Sequence, residues 1–157
     1  MGRIIPNENS YIGFNPTLTG TVSGPKVADF TSAIDLTHQT VSLNASSTGN
    51  TVPTPSLDTL FETSITGTSA ASFSGDFYRD DVTADDLAWT TLPRGTQGYF
   101  LIARFGGKPA AAGRKCEVWP VRVTSRSMAN MANNTVETFT VTCAVPVEPD
   151  EDAVVAA

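Results

Sequence analysis

The segment from Phe73 to Phe105 constrains the fold more than any other part of the chain, because it contains two aromatic-rich strand patterns. In residues 72–78 an aromatic residue or glycine alternates with polar residues, and this period of two predicts a half-buried β-strand. Residues 97–105 are largely aromatic and aliphatic at consecutive positions. A strand that is apolar on both faces is expected in the centre of a sheet or beneath another subunit.

Further strand and helix patterns lie on either side of this segment. Strands are predicted at residues 117–126 and 136–145, and a strand or a bent strand pair at 31–43. A short helix is predicted at 83–92, a short helix or helical turn at 56–62, and loops at 44–54 and 106–115. Pro120 falls inside a predicted strand and requires an edge position or a bulge, because proline cannot donate to a sheet. Short antiparallel strands with one or two short helices predict a mostly β fold, an antiparallel β-sandwich or flattened barrel.

The chain of 157 residues is long enough for one domain with a buried core. Residues 1–25 are rich in proline and turn-forming residues, so they are expected to form an extended N-terminal arm. Residues 26–146 are expected to form the β-sandwich domain. Residues 147–157 contain four acids and are expected to be a flexible tail until they bind a partner.

Charged residues make up only 17% of the chain, and acids and bases are separated along it. Residues 76–86 contain five aspartates and one arginine, whereas residues 94–126 contain seven bases and one glutamate. A subunit with this polarity can join head to tail, because the acidic patch of one copy meets the basic patch of the next. The candidate residues for these inter-subunit patches are Asp80, Asp81, Asp85, Asp86, Arg104, Lys108, Arg114 and Lys115.

The sequence contains no pattern of catalytic or cofactor-binding residues, so it does not indicate an enzyme. His38 is the single histidine and lacks the spacing of metal ligands. The aspartate pairs at 80–81 and 85–86 fit a solvated turn and a helix N-terminus better than a divalent cation site. Cys116 and Cys143 are expected to be small buried residues, with a disulfide between them as a less favoured alternative.

No apolar run is long enough to span a membrane, and residues 1–6 lack the apolar core of a signal peptide. We therefore expect no membrane partner. The residues considered above form no set that would hold a cofactor or metal, so we expect neither.

Several motifs together resemble the major tail protein, or tail tube protein, of long-tailed phages, in particular of phages with actinobacterial hosts. The resemblance covers residues 60–155 approximately and implies two packed sheets beside a helix. Its motifs are Phe73-Ser-Gly-Asp-Phe-Tyr-Arg-Asp-Asp81, Leu87-Ala-Trp89, the segment 92–105, Glu117-Val-Trp-Pro-Val-Arg-Val123 and the Ala-Asn-Met-Ala-Asn-Asn run that ends at Asn134.

This resemblance implies a structural subunit of a long, non-contractile tail, which polymerises and does not catalyse a reaction. In the family, subunits form six-membered rings whose sheets join into a continuous inner barrel, and joined edges also protect exposed strands. The implied partners are further copies of the chain, a tape-measure protein, and tail terminator and tail-tip proteins. Phage DNA is expected to pass through without specific binding. The implied location is the tail of the virion, after assembly in the host cytoplasm.

A conduit for DNA should not hold phosphates, because each phosphate neutralised by a fixed base adds affinity and slows transit. We therefore interpret Asp76 and Glu137 as candidate lumen acids and expect the bases at subunit interfaces. The N-terminal arm, the loop 106–115 and the acidic tail are expected to become ordered at ring-to-ring contacts. Deletion of residues 1–15 is then expected to leave a folded monomer that cannot elongate.

Two alternatives remain open from the sequence. One is a β-sandwich binding module, such as an adhesin or carbohydrate-binding domain, in which Trp89, Trp119 and Tyr99 would form a platform for sugar stacking. The other is a different virion protein of similar fold, such as a head decoration protein or a tail terminator. Exposed aromatic residues and calcium-dependent stability would favour the binding module.

Overall fold

The computed structural model describes residues 9–129 and 131–157. All the strand pairs in these ranges are antiparallel. The strands form one sheet in the order β2-β1-β5-β6-β7-β4-β3, and β8 pairs with the first part of β6. The elements are β1 (Tyr11–Asn15), α1 (Val27–Ser32), β2 (Ile34–Asp35), a 3-10 turn (Thr37–Gln39), β3 (Thr40–Thr54), β4 (Thr63–Tyr78), α2 (Leu87–Thr91), β5 (Gln97–Ala103), β6 (Lys115–Met128), β7 (Thr138–Ala144) and β8 (Asp150–Val154). This confirms the predicted mostly β fold with two short helices.

The sheet folds over on itself around one hydrophobic core. Phe73 of β4 stacks on Phe100 of β5 with ring centroids 4.5 Å apart, although β6 and β7 lie between these two strands in the sheet. Trp119 and Phe139 belong to the same buried cluster. Full burial of each such side chain contributes on the order of 2 kcal/mol. The two halves of the sheet therefore pack as in a sandwich, and they leave the barrel open because β2 and β3 end the strand order.

A second hydrophobic cluster covers the opposite face of β1, β5 and the first part of β6. Leu101 packs there with Phe30 of α1 and Ala153 of β8. Phe100 and Leu101 are consecutive in β5 and belong to the two different clusters. Both faces of β5 are therefore buried within one subunit. The central position predicted for this strand is confirmed, and its apolar character does not require cover by another copy.

Pro120 lies in β6 beside a gap between two neighbouring strands. On one side, β5 pairs with β6 over residues 117–122. On the other side, the Cα partners in β8 end at Val118 and those in β7 begin at Arg122. The position agrees with the edge or bulge that a proline requires in a sheet.

β3 and β4 form a long hairpin that the sequence patterns do not predict. Residues 44–54 belong to β3, so the loop predicted there is wrong. Residues 56–62 lie in the connection and contain a single turn, with a hydrogen bond from Thr59 N–H to the Ser56 carbonyl oxygen, and no helix. The hairpin pairs from Thr40 with Phe77 to Thr54 with Thr63. Its hydroxyl side chains bond across the strands and stabilise them in place of an apolar pattern. The strand or bent strand pair predicted at 31–43 is present only in part, as β2 and the start of β3, because α1 and the 3-10 turn occupy most of the remaining residues.

Both ends of the chain take part in the sheet. β1 lies between β2 and β5, and its Phe14 is buried, so the expected arm of residues 1–25 contains a core strand. β8 pairs with β6 and buries Ala153, so the tail expected to be flexible is ordered over residues 150–154. In both cases a few apolar side chains fix the segment despite its polar or acidic neighbours. Residues 1–8 of the predicted arm lie outside the described residues.

No helix in the described ranges is long and apolar enough to cross a membrane.

Candidate assembly and conduit surfaces

One half of the sheet carries a polar surface on the side away from the first core, which we call the hydroxyl face. Its residues alternate along β3, β4, β7 and the end of β6 with the buried residues of that core. The hydroxyl face consists of Ser42, Asn44, Ser46, Ser72, Ser74, Asp76, Ser125, Ser127, Thr140 and Thr142. Asp76 is the single charged side chain in this set, and Arg122 lies at its border opposite Ala144. The surface is therefore rich in hydroxyl groups and almost neutral.

Asp76, the first candidate lumen acid, lies in the middle of the hydroxyl face. Its Oδ1 accepts a hydrogen bond from Thr140 Oγ1 at 2.6 Å, and its Oδ2 accepts one from Ser42 Oγ at 3.1 Å. Glu137, the second candidate, is exposed just before β7, and its carbonyl oxygen accepts a hydrogen bond from the N–H of Arg79. The structure thus places one candidate on the face and the other at its end.

The acidic segment follows β4. Asp80, Asp81 and Asp85 are exposed there, as an interface patch requires. Asp86 is different: it is only 4% exposed, and its carboxylate pairs with Arg79 Nε at 2.9 Å. Its assignment to the exposed patch is corrected, because a buried and paired carboxylate cannot meet another subunit.

Trp89 lies between two guanidinium groups beside this segment. The Cζ atoms of Arg126 and Arg79 are 3.4 and 3.9 Å from its ring centroid. Burial and the nearby charge of Arg79 lower the pKa of Arg126. Trp119 is buried in the core, and Tyr99 packs against the cluster on the opposite face. The three aromatic residues of the alternative binding module therefore do not form one exposed platform.

The predicted basic loop lies between β5 and β6. Arg104 pairs with Glu117, and the hydrogen bonds of this pair raise the pKa of Arg104. Arg114 Nη2 donates to the carbonyl oxygens of Phe105 at 2.9 Å and Gly107 at 3.2 Å. Lys108 and Lys115 are exposed. Arg104 and Arg114 thus shape the loop, while the two lysines present its charge to solvent.

The acidic segment and the basic loop lie at opposite ends of β6. The basic loop leads directly into Lys115, where β6 begins. Arg79, at the start of the acidic segment, contacts the sulfur of Met128, where β6 ends. A strand of this length, 14 residues, spans at most roughly 45 Å. The acidic segment and the basic loop are therefore separate in space. β8, however, places exposed Glu151 and Asp152 beside Arg104 and Lys115, so the second end of the molecule carries charges of both signs.

The two cysteines lie in different hydrophobic clusters. Cys116 belongs to the cluster under α1, and Cys143 belongs to the core between the two halves of the sheet. Both are free thiols. Burial raises the pKa of Cys116 to about 11 and that of Cys143 to about 12. They act as small buried residues, and the alternative of a disulfide between them is not realised. The described residues contain no group of metal-ligating side chains.

A comparison with protein families adds to this geometry. A sequence profile of the phage tail tube protein family matches residues 1–157, which is the whole chain. The chain belongs to the phage tail tube protein family. It is thus a structural subunit of a phage tail, as the motifs between Phe73 and Asn134 indicate. No finding favours the binding module, the head decoration protein or the terminator.

Two solved structures resemble this tail tube protein in fold. One comes from the virion of a native gene transfer agent particle; it is 15% identical, with a TM-score of 0.56 over 95% of this chain and 97% of that chain. The other comes from the tail of an empty gene transfer agent particle with C6 symmetry; it is 17% identical, with a TM-score of 0.56 over 91% and 95% of the two chains. No curated protein matches the chain. The actinobacterial host stays a prediction.

The hairpin is the surface of this tail tube protein that sequence reasoning missed. Between Asn44 and Gly75 the only charged residues are Asp58 and Glu62, and strand-like alternation is absent from most of the segment. Its abundance of serine and threonine suggests a polar loop when judged by composition alone. The small number of charged residues is the feature that could have distinguished this segment from a loop, because a solvated loop of this length normally carries more charged side chains.

Proposed function

We propose that this tail tube protein polymerises into six-membered rings that stack head to tail and form a conduit for phage DNA. The tape-measure protein would fill the tube during assembly in the host cytoplasm, and terminator and tip proteins would close its ends. The C6 symmetry of the structurally similar gene transfer agent tail supports the ring number. The observation that carries the conduit is the hydroxyl face, a broad sheet surface rich in hydroxyl groups, with one carboxylate in its middle and a single base, Arg122, at its border.

The hydroxyl face suits the wall of such a conduit. A duplex carries one negative charge for every ~1.7 Å of its length, so bases fixed in the wall would hold it in many places at once. Hydroxyl groups are neutral, and most of them can bond to water as readily as to a passing phosphate. The carboxylate of Asp76 adds weak repulsion in the middle of the face.

The charged ends suit stacking in one direction. Exposed Asp80, Asp81 and Asp85 lie at one end of β6, and Lys108 and Lys115 lie at the other, beside the acids of β8. A head-to-tail contact can bring the aspartates to the lysines, whereas contact between two acidic ends brings only like charges together. The electrostatic pattern would therefore set the polarity of the tube.

Negative-stain electron microscopy of the purified protein across a concentration series tests this proposal. We expect rings at intermediate concentration and hollow tubes above a threshold concentration. Added salt is expected to raise this threshold, because exposed charges are screened within roughly 10 Å at 0.1 M salt. Particles that stay monomeric at all concentrations, even when tail-tip complexes are supplied as initiators, would contradict the proposal.

A further inference from the structure

The hairpin of β3 and β4 extends far beyond the core of the tail tube protein. β7 pairs with β4 only over residues 72–78, so residues 47–54 and 63–71 are paired with each other and with no further strand of the described chain. At the base of this part, Ser47 Oγ donates a hydrogen bond to Glu151 of β8. Nine residues of a β-strand span roughly 30 Å. The connection at residues 55–62, which we call the hairpin tip, therefore lies far from the core of its own subunit.

The hairpin tip is apolar and uncovered. Leu57 and Leu60 are fully exposed, and 78% of Phe61 is exposed. Three large apolar side chains within five residues are an exposed patch of the kind that marks an interaction site. Residues 47–54 and 63–71 behind the tip contain no lysine or other charged residue that would protect the edges of the hairpin. Both features indicate that another protein surface covers the hairpin in the working assembly.

An apolar groove lies where the sheet fails to close, and we call it the seam groove. It runs between β3 on one side and β1 and β5 on the other, with a volume of about 460 Å³. Ile12, Val41, Leu43 and Ile102 supply apolar walls, and Arg104 lies at one end. Sites that bind a few side chains of a partner have volumes of this order.

We propose that the hairpin tip of one tail tube subunit binds in the seam groove of a second copy of this chain. This inference rests on the polymerisation proposed above. Asp58 and Glu62 lie beside the apolar residues of the tip. Arg104 in the groove pairs with Glu117 but keeps 51% of its side chain exposed, so its guanidinium can meet a second carboxylate from the tip. Tip and groove are different parts of one subunit. Such a contact is heterologous and repeats from copy to copy.

Cysteine cross-linking tests the contact directly. The double variant Phe61→Cys/Val41→Cys places one thiol in the tip and one in the groove. The matched control is Phe61→Cys/Val136→Cys, because Val136 is exposed to a similar extent but lies before β7, away from the groove. The native cysteines are buried and should not interfere. Under mild oxidation we expect the first pair to form dimers and higher multimers on a non-reducing gel, several-fold more than the control pair.

A second variant measures the contribution of the tip to assembly. Phe61→Asp replaces an exposed side chain and is expected to fold with an unchanged melting temperature, while the concentration needed for tubes rises at least several-fold. Equal cross-linking of the two cysteine pairs, or unchanged assembly of Phe61→Asp, would overturn the docking. If wild-type tubes form without the tip–groove cross-link, the docking is wrong and the proposed function stands. If the cross-link forms but wild-type tubes never do, the docking stands and the stacked tube is wrong.

Discussion

At the scale of single residues, Asp29 fixes the loop that precedes α1. Its side chain is 1% exposed and accepts hydrogen bonds from Thr19 N–H and Oγ1, both at 2.7 Å, from Gly20 N–H at 3.1 Å and from Lys26 N–H at 2.9 Å. Burial disfavours the ionised form, but these hydrogen bonds outweigh it and lower the pKa of Asp29. The fixed loop in turn holds the C-terminal segment, since the Pro25 carbonyl oxygen accepts a hydrogen bond from Ala156 N–H at 2.8 Å.

The lowered pKa of Asp29 predicts a loss of stability in acid. Because the folded pKa is lower than the unfolded one, the stabilisation is complete above the unfolded pKa and disappears as the pH falls through the folded pKa. We expect Asp29→Asn to lower the free energy of unfolding at pH 7 by about 1–3 kcal/mol, since buried donors lose a charged acceptor. Urea unfolding at decreasing pH should show this difference shrinking. Asp81→Asn, at an exposed position, is the control, and an equal loss in both variants would refute the prediction.

At the scale of elements, the sequence predicts the strands that show alternation or a continuous apolar run, and it misses β3, which shows neither. β7 buries Phe139, Val141 and Cys143 at every second position, so its pattern is visible along the chain. β3 is exposed over most of its length, and its strand character comes from pairing with β4, which is not encoded by local alternation. The tip and seam groove could not be predicted for the same reason, because the groove is made by strands distant in sequence.

The position of β1 inside the sheet changes the result that we expect from a deletion at the N-terminus. Deletion of residues 1–15 removes a strand from between β2 and β5, together with buried Tyr11 and Phe14. We now expect this variant to be unfolded and not a folded monomer, because loss of a buried aromatic side chain alone costs about 3–5 kcal/mol. Circular dichroism and thermal melting measure the outcome. Deletion of residues 1–8 leaves β1 intact and is the control; a cooperative melt for the 1–15 deletion would show that β1 is dispensable.

At the scale of the whole molecule, the sequence predicts that the acidic segment and the basic loop lie apart. It does not predict that the acids of β8 lie beside the basic loop, nor how the faces are arranged. Local charge counts identify the acidic and basic ends without any knowledge of pairing, and exposed Asp80 and Lys115 do lie at opposite ends of β6. The hydrogen-bond partners of Asp76 cannot be identified from local charge counts. Ser42 and Thr140 come from strands 34 and 64 residues away, so only the register of the sheet brings them to this carboxylate.

The hydroxyl face gives a test of the conduit that does not disturb the core. Asp76→Arg changes one side chain on this face from −1 to +1 and leaves the buried residues of β4 in place. With one such site in every subunit, a tube would present a regular array of bases to passing phosphates, and each contact adds affinity that slows transit. We expect tubes of normal appearance by electron microscopy but fewer and slower DNA ejections from phage carrying the variant.

Exposed Glu137, beside the end of the face, should act in the same direction when replaced by arginine, and more weakly because it lies outside the face. Asp76→Asn is the matched control. It removes the carboxylate without adding a base, so ejection should stay close to that of the wild type. Normal infectivity of both arginine variants would mean that these acids do not face the DNA, and it would place the lumen on a different surface of the subunit.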